Sequence, residues 1–434
     1  MRFDIFCSLT QAQPGGILPP HAVVLRNFLE QARVADGLGF DAVWVAGSHF
    51  SSELQRSHRR PVIPHWRGEV GLNTDFCQLA GQILARTERI EVGSAIMNIV
   101  GQGGPLAAAE RVAALLGWHG LDPAERRRIR VGFAGGRFDY INRLSGIGPR
   151  AEWEREAWPQ VRSAVAAEAA EIFVRLLAGE ALASDDVPEA ELRPEHFGDL
   201  DAYRRAWKAK GPVGERIVVP RQWEFEPVRA VPEIARPELL ELVLGSQDHA
   251  LQARLNRFRP VKVFNLSITP PAVIEATHAR MERAYHPAGG PWRREYMPRT
   301  VFVFLQDEPD RSAGDNRAAA RADAEMRLAA YWQALEGTLS PARVAAAADN
   351  ALIGTAADIA EQITSRFQPE DRLMLWFDFF THDSQRVCAQ MESFMTRVVP
   401  RLPQHYGNPG GLSARTPARP AGTPGPVAAA RPAP

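Results

Sequence analysis

Apolar positions along the chain follow two alternating rhythms. Short β-branched or aromatic runs, beginning with "RFDIFC" at 2–7 and "DAVWVA" at 41–46, are separated by longer stretches with apolar residues three to four apart. The first of these stretches, 21–38, carries Val24, Phe28, Ala32 and Ala35 on one helical face and stops at Gly39. The runs "RIEVGSAIM", "RIRVGFA", "LLELVLG", "VKVFNLSI", "TVFVFLQ" and "RLMLWFDF" complete a set of eight predicted strands. Helical spacing falls between them, over 74–86, 105–116, 248–258, 271–285, 315–332 and 356–367. Eight strands with intervening helices predict a closed (β/α)8 TIM barrel. An open doubly wound sheet has fewer strands and an early phosphate fingerprint.

Two segments break the rhythm. Residues 51–73 follow the second strand, and an alanine-rich helix over 153–177 after the fourth leads into 179–237, charged and proline-containing with little periodicity. The length of 179–237 exceeds a plain connection, so it reads as an insertion over a site. Beyond 403 the composition shifts to Pro, Gly, Ala and Arg, which cannot bury enough apolar surface to offset ordering. The prediction is one barrel over 1–403 and a disordered tail over 404–434.

Composition narrows the partner. Of 434 residues, 45% are apolar, and 51 Lys plus Arg balance 51 Asp plus Glu, so no global field recruits nucleic acid or an anionic membrane. A small-molecule substrate is expected. Cys7, Cys77 and Cys388 are too far apart in sequence for a disulfide framework or zinc knuckle, and read as inert thiols of a reducing compartment. With no leader-like start and no apolar run near 20 residues, the expectation is a soluble cytoplasmic protein. His49, His58, His65 and His119 lack ligand spacing, so no metal site is expected.

In such a barrel the chemistry sits beyond the carboxyl ends of the strands. There the chain places Gly47, Ser48 and His49; Asn98 with "VGQGGP"; "AGGRFDYINR"; "GSQDHA"; and "DFFTHD". The "GSQDHA" exit opens a helix whose first amides can either hold a phosphate or be capped by Ser246 or Asp248. The glycines at 132–136 have the wrong spacing for a dinucleotide fingerprint, although Arg137 could still offer a guanidinium to a phosphate.

Taken together, "GFDAVWVAGSHF", "RIEVGSAIMNIVGQGGPLAAAERVAAL", "RVGFAGGRFDYINRLSGI", "VLGSQDHALQA", "IGTAADIAEQI" and "RVVPRL" resemble, in order and spacing, the luciferase-like flavin-dependent monooxygenases. The resemblance covers 1–403 apart from 51–73 and 179–237, which look longer than in compact members and so read as insertions. It implies a barrel that accepts reduced FMN (FMNH2) from a separate flavin reductase, reacts it with oxygen away from water, and assembles as a homodimer. Carried over by position, Ser94, Ala95 and Ile96 would lie beneath the flavin, at a distorted or cis peptide. Phe133, Ala134 and Gly135 would face it, and Gly245 and Ser246, with His249 nearby, would hold the phosphate.

The departures concern charge. Family members carry Glu-His-His-Phe where this chain has Gly47-Ser48-His49-Phe50, and an arginine that contacts phosphate corresponds to Gly135. Ser48 and His49 are left as candidate catalytic residues, and Arg137 as a replacement cation. A serine hydroxyl donates and accepts hydrogen bonds but does not titrate near neutrality as imidazole does. The enlarged loop at 51–73, with His58, His65 and Trp66, suggests a bulky organic substrate such as a secondary metabolite. Two other readings share the scaffold: a deazaflavin-dependent oxidoreductase, and a non-catalytic luciferase-like subunit.

Overall fold

A computed structural model of the chain describes residues 1–48, 52–57, 63–136, 139–211, 216–265, 269–334 and 349–406. His49, His58, Arg137 and the tail from 407 onward lie outside the described residues. Nine parallel strands form the main sheet: β1 (Arg2–Cys7), β2 (Ala42–Val45), β3 (Glu91–Asn98), β4 (Ile129–Ala134), β7 (Leu240–Leu244), β8 (Val261–Val263), β9 (Arg299–Leu305), β10 (Leu352–Gly354) and β11 (Arg372–Trp376). A separate antiparallel pair, β5 (Ala190–Leu192) and β6 (Ile217–Val219), lies within the 179–237 insertion.

Strand order is β10-β9-β11-β1-β2-β3-β4-β7-β8. The circle closes where Asn265, just past β8, bridges Arg299 at the start of β9. The Asn265 N–H donates to the Pro298 carbonyl at 3.0 Å, and the Thr300 N–H donates to the Asn265 carbonyl at 3.3 Å. Above that bridge the three-residue β10 pairs with Val303–Leu305 of β9. The eight predicted strands therefore make the barrel, and β10, which the sequence pattern did not separate from the helix after it, fills the upper part of the seam.

Local chemistry sets the joints. Helix His21–Leu38 buries Val24, Phe28, Ala32 and Ala35, and ends because Gly39 takes a left-handed φ of 87°, which costs a residue without Cβ little. Near its end, the Asp36 carboxylate accepts backbone N–H groups of Glu88, Arg89 and Ile90 at 2.7–2.9 Å, fixing the lead into β3. At the base of the molecule, the N-terminal ammonium donates to the Tyr406 carbonyl at 3.1 Å.

Alternation along each strand sorts side chains into an outer core and an inner column. Phe3, Ile5, Val43, Val131, Phe133 and Leu242 belong to the outer core, which also takes in the apolar faces of the helices. The lower end of the inner column is ionic. Arg372 donates to both Asp4 oxygens at 3.0 and 3.1 Å, Trp44 Nε1 donates to Asp4 at 2.7 Å, and Arg130 bridges Glu91 and Glu241. Above it lies an apolar layer of Phe6, Val243, Phe264 and Met374, with Ala95, Ile96 and Trp376 packed against it. The column stops there, and the upper end is open.

No helix among the described residues is long and apolar enough to cross a membrane. The three cysteines are free, and burial pushes the Cys77 thiol up to about 12, which keeps it protonated and unreactive at neutral pH.

Candidate active site at the open end of the barrel

The upper end of the barrel holds a cavity of about 580 Å³. Ligand sites typically occupy roughly 300–1,000 Å³. Its two walls differ in kind. One wall comes from the exits of β2, β3, β4 and β7, where Gly47, Ala95, Ala134, Gly135 and Gly245 lie among Ile96, Met97, Asn98 and Leu244. A Cβ on Gly245 would lie 2.1 Å from Ile96 Cδ1, and one on Gly47 would lie 2.9 Å from the Ile96 carbonyl oxygen. Close packing against Ile96 therefore excludes a side chain at these two positions. The Ala95–Ile96 peptide is cis, and the β3–β4 register slips between Ser94 and Met97.

The other wall is aromatic: Phe6, Trp66, Tyr331, Trp376, Phe379 and Phe380 all reach the cavity. Trp376 is the hub, with ring centroids 4.5 Å from Phe6, 4.9 Å from Phe379 and 5.1 Å from Phe302. Trp66 meets Phe380 edge-on at 5.4 Å. The loop carrying Trp66 is pinned by the Gln55 amide, which donates to the Ile63 carbonyl at 2.9 Å and accepts its N–H at 3.1 Å. Both bonds are buried, so Ile63 and Trp66 are fixed over the cavity.

Polar groups are few. The Ser48 backbone N–H donates to the Asn73 carbonyl at 2.9 Å, while its buried Oγ has no hydrogen-bond partner. An unpaired buried hydroxyl costs about 1–3 kcal/mol, so a ligand oxygen reaching it would recover that penalty. Asn98 donates to Asn142 at 2.8 Å, and Asn142 donates to the Gly135 carbonyl at 2.9 Å, stiffening the β4 exit. At the β7 exit, Ser246 Oγ accepts the Asp248 N–H at 3.2 Å and Asp248 accepts the Leu251 N–H at 3.1 Å. The short helix His249–Leu255 is thus capped by its own carboxylate, and a negative charge stands where an anion was one of the two expectations.

Half-buried Asp378, just past β11, is the nearby group poised near neutrality. Burial pushes its pKa from an ordinary 3.8 up to about 7, against the pull of neighbouring N–H groups and the Arg327 guanidinium. Because the folded state holds the proton more tightly, stability falls as pH rises from about 4 to about 7, and the full cost is present above that. Asp378→Asn is therefore expected to raise the urea midpoint at pH 8, with the gain vanishing below pH 4. An equal gain at both pH values would remove the titration as its cause.

The structure brings Ser48, Ala95, Ile96, Ala134, Gly135, Gly245 and Ser246 around one cavity. It does not bring Phe133 there. On β4, Arg130, Gly132 and Ala134 face inward, so Phe133 points outward and packs on Phe173 at 5.1 Å. Ser94 is likewise fully buried behind the wall, and His249 and His65 are exposed away from it. His49 and Arg137 lie outside the described residues. Nor does the long insertion cover the site: among the described residues lining the cavity, none comes from 179–237. That segment packs on the flank instead, where Glu168 accepts the N–H groups of Gln222 and Trp223 at 3.0–3.2 Å.

The sequence reading missed Arg162. With Ala166 and Ala170 it forms an i, i+4, i+8 stripe of helix Trp158–Leu177 facing the cavity. Alanines also fall at 164, 167 and 169, so spacing along the helix does not single out this face.

Residues 1–190 match the model of the luciferase-like monooxygenase family, as the sequence resemblance implies. No curated protein matches the chain by sequence. Among solved structures, monooxygenase RslO1 from Streptomyces bottropensis is 19% identical with a TM-score of 0.63, over 92% of this chain and 99% of that one. The oxygenating constituent of 3,6-diketocamphane monooxygenase from Pseudomonas putida, a type II Baeyer-Villiger monooxygenase in complex with FMN, is 13% identical with a TM-score of 0.55, covering 93% and 99%. An F420-dependent secondary alcohol dehydrogenase with an F420-acetone adduct is 14% identical with a TM-score of 0.51, covering 92% and 98%. At these identities the likeness establishes the shared barrel fold.

Proposed function

We propose that the chain is the oxygenating component of a two-component flavin-dependent monooxygenase, which takes reduced FMN from a separate reductase and oxygenates a bulky aromatic organic substrate. The observation that carries this reading is the division of the cavity into a wall rich in glycine and alanine and a wall of aromatic rings. A flat tricyclic ring fits against the first, where a Cβ on Gly245 or Gly47 would intrude on Ile96. Ala95, Ile96, Ala134, Gly135 and Gly245 would hold the ring there. Bound reduced flavin would supply two electrons to O2, one oxygen atom going to the substrate and the other leaving as water.

The chain's own residues do the rest. The aromatic wall, rich in π-faces and without a lysine, arginine or carboxylate of its own, selects an uncharged aromatic substrate by stacking and area burial. Trp66 and Phe380, fixed by the pinned loop, exclude water from above. The unpaired Ser48 hydroxyl donates to an oxygen of substrate or cofactor, orienting it without taking up a proton near neutral pH. The solved relative that binds FMN supports this choice of cofactor. A homodimer in the cytoplasm completes the reading.

Titration with reduced FMN under anaerobic conditions, followed by oxygen and a panel of polycyclic aromatic compounds, should give flavin binding and a product heavier by one oxygen atom. Absence of flavin binding would overturn the assignment and favour a non-catalytic subunit. Tighter binding of a deazaflavin than of FMN would instead make the protein a deazaflavin-dependent oxidoreductase.

A further inference from the structure

The cavity contains one cation among its described lining residues, the guanidinium of Arg162. It is half-buried, and no hydrogen bond, ion pair or ring contact engages it. Arginine at the edge of a cavity usually has a carboxylate beside it, because a partly desolvated charge without a partner is costly. The acid on the same rim, Asp248, is committed to capping Leu251. The guanidinium is thus held toward a volume that can accept an anion.

Its position is built in. Gly135 at the β4 exit lets helix Trp158–Leu177 approach until a Cβ on that glycine would lie 2.4 Å from Ala166 Cβ. Ala166 is one turn beyond Arg162, so the glycine that leaves β4 without a side chain also draws the arginine to the rim. The same helix is fastened to His249–Leu255 by the Glu171–Arg254 ion pair, which sets the stripe beside Gly245 and Ser246.

We propose that Arg162 binds the phosphate of the cofactor, supplying positive charge from the helix beside the capped β7 exit. The inference rests on the flavin reading above. A planar guanidinium offers a phosphate two parallel N–H donors, which gives orientation as well as attraction.

Equilibrium titration with FMN and with riboflavin, which shares the ring and lacks the phosphate, tests it in the full-length protein. The wild-type protein is expected to prefer FMN. Arg162→Gln should weaken FMN binding by about tenfold to a hundredfold and leave riboflavin binding unchanged. Arg162→Lys should recover part of the loss, and the salt dependence of FMN binding should flatten in Arg162→Gln. Equal loss of both flavins in Arg162→Gln, or an FMN preference that survives it, would overturn the role of Arg162 while leaving the flavin reading standing. If the wild-type protein binds neither flavin, both fall together.

Discussion

Gly135→Arg, which returns to β4 the residue the family resemblance places there, is expected to destabilise the protein rather than improve it. A Cβ at 135 would lie 2.4 Å from Ala166 Cβ, 3.3 Å from Ala166 Cα and 3.6 Å from Val100 Cγ2. Two of these three atoms are the Cα and Cβ of Ala166, which cannot swing aside, so the helix or the β4 exit must shift. Overpacking of this kind costs about 1–3 kcal/mol, occasionally more. The double variant Gly135→Arg/Ala166→Gly tests the cause. Ala166→Gly alone should cost about 1 kcal/mol through helix propensity, yet in the Gly135→Arg background it should restore stability by removing the atom that is struck. A double-mutant cycle by urea unfolding reads the coupling. Strict additivity would show that the contact with Ala166 is not what excludes a side chain at 135. In Gly135→Arg the helix moves outward, so Arg162 should also lose its place at the cavity.

Much of this geometry follows from strand exits, which is why a good part of it was legible. A parallel barrel sends the residues after each strand to one end, so Gly47, Ser48, Ala134, Gly135, Gly245 and Ser246 could be named as neighbours from their positions alone. Phe133 failed because the resemblance was carried over as a block of three, whereas β4 alternates: Arg130, Gly132 and Ala134 share the inner face, and that parity sends Phe133 to Phe173. Arg162 was invisible for another reason. Which face of helix Trp158–Leu177 meets the cavity depends on its close approach at Gly135, a tertiary fact that helical spacing does not contain. The aromatic wall was hidden similarly, since Phe6, Tyr331 and Trp376 come from three distant segments and meet only after the barrel closes. The strand β10 was lost to brevity: three residues running directly into the capping box at Thr355 read as the lead into a helix.

Arg130→Met is expected to be the most destabilising single change at the opposite end of the barrel, with little effect on the cavity. Arg130 is 3% exposed and bonds Glu91 and Glu241, which Arg128 also contacts, while Lys262 reaches Glu241 at 2.8 Å. Removing the central cation leaves two carboxylates sharing the lesser attraction of Arg128 and Lys262. Breaking a buried pair by deleting one partner costs about 3–5 kcal/mol, because the remaining charge stays desolvated. The pH dependence follows from the carboxylates. In the wild-type protein the surrounding cations, Arg130 foremost, hold Glu91 and Glu241 below the ordinary value of 4.5 despite burial. Their contribution is therefore complete above about pH 4.5 and is lost as pH falls toward the lowered folded value. Without Arg130, burial raises both carboxyls, and they take up protons earlier on acidification. The stability gap between variant and wild type should be widest near pH 7 and narrow steadily below pH 4.5, read as urea midpoints at unchanged slope. On the flavin reading proposed above, FMN affinity should stay at the wild-type value at pH 7, because the apolar layer of Phe6, Val243, Phe264 and Met374 separates the ionic base from the cavity. A gap that does not change with pH would mean that lost packing of the Arg130 stem, rather than the uncompensated carboxylates, sets the cost.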